Sequence, residues 1–225
     1  MKLSIIIPVL NEQNSIAAFL QSLQSLREAG SELIVVDGGS SDDTVVSALG
    51  LCDKLLNAEK GRALQMNMGA NAASGAVLLF LHADTRLPSN ADKIILTSIA
   101  NSKRCWGRFD VKLSSDSSLF RLIAGMMNFR SRVTGIATGD QAIFVSADIF
   151  RQIGGFQNIP LMEDIAISKQ LKKISTPICL HEKVTTSSRR WEEQGSWKTI
   201  LLMWRLRWAY FLGEDPKVLV AKYYH

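Results

Sequence analysis

Residues 3–12 read Leu-Ser-Ile-Ile-Ile-Pro-Val-Leu-Asn-Glu. The run from 3 to 9 is almost wholly apolar and rich in isoleucine, the pattern of a strand buried on both faces of a parallel sheet. Asn14 or Ser15 is then placed to cap a helix; Ile16, Phe19, Leu20, Leu23 and Leu26 repeat at helical spacing, and Gly30 closes it. The alternation recurs. Residues 33–36 form a second buried strand, Asp42 and Asp43 open a short helix, and 54–57 is a weak third strand. Residues 63–73 read as a helix stopped by Ser74 and Gly75, and 77–81 as a fourth strand. Strand followed by helix through residues 1–85 predicts a doubly wound α/β sheet.

Beyond that point the rhythm changes. Helices are expected over 92–102, 119–132 and 165–174, and a short one ends at Gly154-Gly155. Strands are expected over 106–113, 142–146 and 178–186. Residues 197–212 form a long apolar helix carrying basic residues, and 217–224 a last helix. The chain reads as one α/β domain over 1–225 with a mixed sheet, divided into 1–85, 86–195 and a basic helical stretch 196–225.

Of 225 residues 47% are apolar and 21% charged, which excludes a disordered or fibrous chain. Cys52, Cys105 and Cys179 lie far apart, so neither a disulfide scaffold nor a zinc ribbon is expected, and a reducing compartment fits. The net charge of +5 divides unevenly: residues 1–100 carry −3 and residues 101–225 carry +8. A basic second half suits an anionic substrate, a phosphate-rich ligand or a membrane surface. No Lys/Arg-rich run accompanies it, so nucleic acid is not expected as a partner. No segment approaches the ~20 apolar residues of a membrane span. The first ten residues lead into Asn11-Glu12-Gln13 without a small-residue cleavage site, so a cytoplasmic protein is expected.

In an open α/β sheet, ligands bind beyond the carboxyl ends of the strands. Three such ends are polar and partly acidic: Asn11-Glu12, Asp37 to Asp42, and His82-Ala83-Asp84. Each alone reads equally as a turn or cap; their convergence on one edge favours a site. The first strand is not followed by G-x-G-x-x-G and there is no P-loop, which argues against a nicotinamide or flavin enzyme and a P-loop phosphotransferase. Asp84 can hold Mg²⁺ or Mn²⁺ with help from diphosphate oxygens, and His82 is either a second ligand or a turn histidine with a backbone partner. Glu163-Asp164 opens a helix and reads either as a capping pair or as the seat of a general base. Arg189-Arg190-Trp191 offers guanidinium groups for diphosphate oxygens, or is a solvated basic turn.

Taken in series, these stretches resemble glycosyltransferase family 2 enzymes of the GT-A fold, a Rossmann-like nucleotide-diphospho-sugar transferase fold with a mixed central sheet. The resemblance rests on IIIPVLNE (5–12), IVVDGGSSDDT (34–44), GRALQMNMGA (61–70), LFLHADT (79–85), ATGDQAIFV (137–145), GGFQNIPLMEDIAISKQL (154–171) and SSRRW (187–191), in the family's order and spacing. Within the family the chain is most similar to the short bacterial subfamily found beside radical-SAM and arsenosugar-biosynthesis genes. The resemblance implies that Pro8, Asn11 and Glu12 line the nucleotide pocket and that Asp37 hydrogen-bonds the nucleobase. It places Lys60, Gly61, Arg62 and Ala83 along the nucleotide or diphosphate. Asp84 matches the metal-binding second acid of D-x-D, with Mn²⁺ or Mg²⁺ as the implied cofactor. Gly139, Asp140 and Gln141 would shape the sugar and acceptor region. Asp164, beside Glu163, matches the catalytic base. Arg189, Arg190 and Trp191 resemble a variant of Q-x-x-R-W, which contacts the diphosphate.

The chain departs from the pattern at His82, which replaces the first acid of D-x-D, and at Ser187, near where glutamine is expected. The implied reaction is an inverting transfer of a sugar from a nucleotide-diphospho-sugar to an acceptor hydroxyl on a small molecule or lipid. The alternatives are a catalytically inactive binding protein on the same fold, favoured only by His82, and a sugar nucleotidyltransferase, disfavoured by Asn11-Glu12-Gln13 after the first strand. Near the C-terminus, Trp197, Ile200, Leu201, Trp204, Trp208, Phe211 and Leu212 stand among Lys198, Arg205 and Arg207. A helix of this kind suits the inner face of the plasma membrane, core packing or a homodimer contact.

Overall fold

The computed structural model describes residues 1–115, 117–189 and 195–224. Strands β1 (Leu3–Val9), β2 (Glu32–Asp37), β3 (Lys54–Asn57) and β4 (Val77–Phe80) pair in parallel. Strands β5 (Thr85–Arg86), β6 (Trp106–Leu113), β7 (Phe144–Ser146) and β8 (Ile178–Thr186) complete an 8-stranded mixed sheet of order β3-β2-β1-β4-β7-β6-β8-β5. β7 is antiparallel to β4 and β6, β6 is parallel to β8, and β5 is antiparallel to β8. β5 was not expected: two residues are too short to show a period.

The helices are α1 (Ile16–Ser22), α2 (Gln24–Glu28), α3 (Thr44–Ala48), α4 (Arg62–Ala72), α5 (Ala91–Ala100), α6 (Ser118–Thr134), α7 (Ala147–Gln152), α8 (Glu163–Leu171), α9 (Ser196–Phe211) and α10 (Pro216–Tyr224), with a 3-10 turn at Gly139–Gln141. The single helix expected from Ile16 is broken at Leu23. The Leu23 N–H bonds the Leu20 carbonyl, and the Gln24 side-chain amide takes the same oxygen, at 2.9 Å. Ser15 occupies the N-cap position, but its hydroxyl donates to Glu12 Oε2 instead (2.6 Å).

Pleating explains how one apolar run fills two cores. Leu3, Ile5, Ile7 and Val9 point to a cluster completed by α1, α2, α5 and α6. Ile6 points to the opposite cluster, with Ile34 and Val36, under α4, α7 and α8. A third, smaller cluster joins Met162 and Ile165 to Leu206 of α9 and Leu219 of α10. Core packing thus takes one stripe of α9, while Leu201, Trp204, Trp208, Phe211 and Leu212 are exposed. The side chains of Trp197 and Lys198 lie outside the described residues.

One buried network fixes α6 against the sheet. Asn128 completes the edge of β6 like a strand residue, accepting from Val111 N–H (2.8 Å) and donating to Val111 O (3.0 Å). Arg108, fully buried, pairs with Asp110, and Asp110 also meets Arg132 of α6 at 2.7 Å. Gly135, at φ +66°, ends the helix in the left-handed conformation that favours glycine. Among the described residues no helix is long and apolar enough to cross a membrane.

Candidate functional site

The carboxyl ends of β1 and β2 are bound into one polar lattice. Asn11, at φ +54°, accepts from Ser41 N–H at 2.9 Å and donates its own N–H to Ser40 Oγ at 2.9 Å. Glu12 N–H donates to Thr44 Oγ1 at 2.7 Å. Asp37 is buried, and its carboxylate accepts from Gly39 N–H and Ser40 N–H (2.9 Å each) and from the Ser40 hydroxyl. Below them, the buried Gln65 amide bridges Val9 O and Val36 O, at 2.8 Å each, and so pins the two strand ends together. A Cβ at Gly38 would strike that amide at 2.9 Å. Gln65 was not singled out from sequence, because one glutamine in a helix carries no signal of its own. Pro8 is half-buried at the same edge, Lys60 is exposed, and Gly61 (φ +154°) precedes α4.

Next to this edge lies a cavity of about 640 Å³ between the end of β4, the 3-10 turn, the start of α8, α6 and α9. Of the residues expected at the site, Arg62, His82, Asp84, Gly139, Asp140, Glu163 and Asp164 line it. Pro8, Asn11, Glu12, Asp37, Lys60, Gly61, Ala83, Gln141 and Arg189 do not. Gln141 is wholly buried behind the turn, where its Oε1 accepts from Thr138 N–H at 3.2 Å. Arg189 is exposed, and Arg190 and Trp191 lie outside the described residues.

The floor of the cavity is carboxylate chemistry under restraint. Met162, at φ +69°, turns the chain into α8. Asp164 then accepts from Gly139 N–H (3.0 Å) and Ile165 N–H (2.7 Å), so both of its oxygens are aimed by backbone. Glu163 is buried beside it and meets Arg62 Nη1 at 3.2 Å. Burial, and then the Asp164 charge, push the Glu163 carboxyl above its ordinary range, with Arg62 opposing. Asp140 is recessed yet open to the cavity. Enclosure by protein pushes its carboxyl up, but the His82 contact and the charges of Arg62 and Arg207 outweigh that and hold it below the ordinary range.

His82 has partners of its own. Its Nδ1 lies 3.6 Å from Asp140 Oδ1, and its ring fills the space that a Cβ at Gly139 would need. A side-chain partner replaces the backbone partner expected for a turn histidine, and this geometry turns Nδ1 toward Asp140. Asp84 is exposed at the cavity; its Oδ1 accepts from Thr85 Oγ1 at 3.2 Å, and its carbonyl accepts from Ser187 N–H at 3.2 Å. Among the described residues no group of three His, Cys, Asp or Glu side chains could hold a metal ion. The donors present fit a hard cation only as a partial set: the Asp84 carboxylate, with oxygens from a bound diphosphate supplying the rest.

Two cationic residues were not anticipated as a pair. Arg130 of α6 and Arg207 of α9 both line the cavity near Asp140 and Asp164. Burial, followed by the Arg207 charge, pulls the Arg130 guanidinium down to about 10. Burial lowers Arg207 in the same direction. The remaining wall is apolar, including Ile123, Met127, Met203 and Trp204.

Comparison with known proteins places this geometry. Among solved structures, the chain is similar to TarS of S. aureus in complex with UDP-GlcNAc, with a TM-score of 0.68, 18% identity, and coverage of 83% of this chain and 58% of that one. It is also similar to glucosyl-3-phosphoglycerate synthase of Mycobacterium tuberculosis in complex with Mn²⁺, UDP and glucosyl-3-phosphoglycerate, with a TM-score of 0.61, 15% identity, and coverage of 82% and 70%. These likenesses establish the fold as GT-A. Among curated proteins, the chain is 31% identical over 159 residues to the undecaprenyl-phosphate 4-deoxy-4-formamido-L-arabinose transferase of Yersinia pestis, covering 65% of this chain and 48% of that protein. It is 38% identical over 91 residues to a PGL/p-HBAD biosynthesis glycosyltransferase of Mycobacterium bovis, covering 37% and 36%. The chain thus spans less than half the length of these curated relatives. The family model described as "Glycosyl transferase family 2" matches residues 4–150, which takes in β1 through most of α7 and all three polar strand ends, and on that match the chain belongs to glycosyl transferase family 2.

Proposed function

We propose that the chain transfers a sugar from a nucleotide-diphospho-sugar to an acceptor hydroxyl with inversion at the anomeric carbon. The observation that carries this reading is Asp164, a carboxylate aimed into the cavity by the Gly139 and Ile165 amides. Asp164 takes the proton of the acceptor hydroxyl as that oxygen bonds to the anomeric carbon. The bond from that carbon to the diphosphate breaks, and the nucleoside diphosphate leaves with the electron pair. Arg62 stands close enough to Glu163 to cancel a second buried carboxylate, which leaves Asp164 as the acceptor of the proton. Asp84, together with the donor phosphates, would hold a divalent cation, which would supply charge neutralisation for the leaving group. The UDP and UDP-GlcNAc complexes of the structural neighbours support a nucleotide-sugar donor, and the Mn²⁺ complex supports the cation. The donor edge is the lattice of Asn11, Glu12 and Asp37.

The test is a titration of UDP, GDP, CDP and dTDP with and without Mn²⁺, followed by release of the matching nucleotide from its sugar conjugate. One diphosphate is expected to bind with metal dependence, and Asp84→Ala should lose that dependence. Asp164→Asn should keep diphosphate binding and lose about 10²–10⁴-fold in turnover. Loss of binding in Asp164→Asn would sink its role as base. Binding without turnover in the unaltered protein would favour the inactive-protein reading that His82 raises.

A further inference from the structure

The guanidinium groups of Arg130 and Arg207 make no hydrogen bond among the described residues. Nε and Nη2 of Arg130 are shielded from solvent and have no hydrogen-bond partner among the described residues. Arg207 makes no hydrogen bond or ion pair among the described residues, although Asp140 and Asp164 lie near enough to act on its charge. Neither acid is hydrogen-bonded to them: Asp140 faces His82, and the Asp164 oxygens are oriented by two backbone amides. Two guanidinium groups kept side by side in a cavity, short of partners, carry a desolvation cost that a bound anion would offset.

The wall beside them is apolar, and it continues outside. On α6, Leu122, Phe129 and Val133 are exposed at 59%, 69% and 69%. On α9, Leu201, Trp208 and Phe211 are exposed at 63%, 65% and 69%. Each set follows helical spacing, and Phe129, Val133 and Trp204 belong both to an exposed stripe and to the cavity lining. A single monomeric surface rarely leaves two such stripes beside a cavity without use for them.

Resting on the glycosyl-transfer reading of this cavity, we propose that the acceptor is an amphiphile. The pair Arg130 and Arg207 binds a phosphate in its head group, a hydroxyl of the same head group faces Asp164, and the tail leaves between α6 and α9. The phosphate is a recognition group here and not the nucleophile, since a phosphate oxygen needs no base to attack. The exposed stripes then meet the lipid surface from which the tail comes.

The experiment titrates the full chain, with UDP and Mn²⁺ present, with dodecyl phosphate below its micelle concentration, dodecyl maltoside and glycerol 3-phosphate. Dodecyl phosphate is expected to bind at least about tenfold more tightly than either of the others. Arg130→Gln and Arg207→Gln should each remove that excess while UDP binding stays as it was. Equal affinity for dodecyl maltoside, or an unchanged phosphate affinity in both variants, overturns the anion pair. Equal affinity for glycerol 3-phosphate overturns the tail. If Arg130→Gln fails to fold, Arg207→Gln decides the anion pair, and Phe129→Ser, on an exposed position, should weaken dodecyl phosphate alone. Loss of UDP binding by the unaltered chain would sink the glycosyl-transfer reading, and the alkyl phosphate titration would still decide the amphiphile.

Discussion

Gly139→Ala is expected to destabilise the protein through one contact. An ideal Cβ at that position would lie 2.4 Å from His82 Cε1 and 2.5 Å from Nε2, inside any tolerated separation. The His82 side chain is only 17% exposed and is held toward Asp140, so the ring has little room to retreat. Forcing a methyl into a packed site costs about 1–3 kcal/mol. At about 2–4 °C per kcal/mol for a domain of this size, the melting temperature should fall by roughly 2–12 °C. The assay is a double-mutant cycle read by thermal unfolding. In a His82→Ala background the obstruction is gone, and the same substitution should cost less than about 0.5 kcal/mol. An equal loss in both backgrounds would refute the reasoning and move the strain elsewhere in the turn.

Glu32 is buried, which works against its charge, but the Ser4 hydroxyl, Ser74 N–H, Lys54 and the Ser74 hydroxyl together hold its pKa at about 2 against an ordinary 4.5. Because the folded value is depressed, this stabilisation is present above the ordinary value and is lost as the pH falls toward 2. Glu32→Gln should therefore cost about 2–3 kcal/mol at neutral pH in urea unfolding, and the difference should vanish in acid. Glu163 runs the other way. Its folded pKa is raised, so its favourable contribution is present below 4.5 and fades as the pH rises through the folded value. Glu163→Gln should flatten the melting temperature across that window, and an unchanged slope would contradict the burial argument. Gln65→Leu removes one donor from each of two carbonyls, of which Val9 O keeps the Gly38 N–H at 3.0 Å, and should cost about 1–3 kcal/mol by chemical denaturation.

The parallel half of the sheet was legible because β1 and β2 are buried on both faces, so sequence and burial carry the same signal. β8 was legible for a different reason: its nine residues are bounded by Pro177 on one side and serines on the other. The helix break at Leu23 was not, since it depends on Gln24 reaching a carbonyl that periodicity does not register. The acids of the site were visible as residue types at strand and helix ends. Their partners were not. His82 meets Asp140 from 58 positions away, and Arg130 and Arg207 come to line one cavity only once α6 and α9 are placed around it. Local pattern marks which residues stand ready for chemistry, while charge balance inside a cavity is a property of the closed fold.

The strand order also dictates a sequence of assembly. β1 to β4 are contiguous in the chain and pair only with one another and with β7. A nascent chain can therefore condense its first sheet early, during synthesis. β6 must wait for β8, whose Gly107–Ile178 register spans most of the second half of the chain. Until β8 emerges, the outer edge of β6 stands open to any passing strand, and the two-residue β5 has nothing to pair with. The wall given by α9 arrives after β8, so the cavity closes only when translation is nearly complete. A ribosome stalled between residues 150 and 178 would present a finished parallel half beside a sticky, half-built sheet, and that stretch is where chaperone dependence should concentrate.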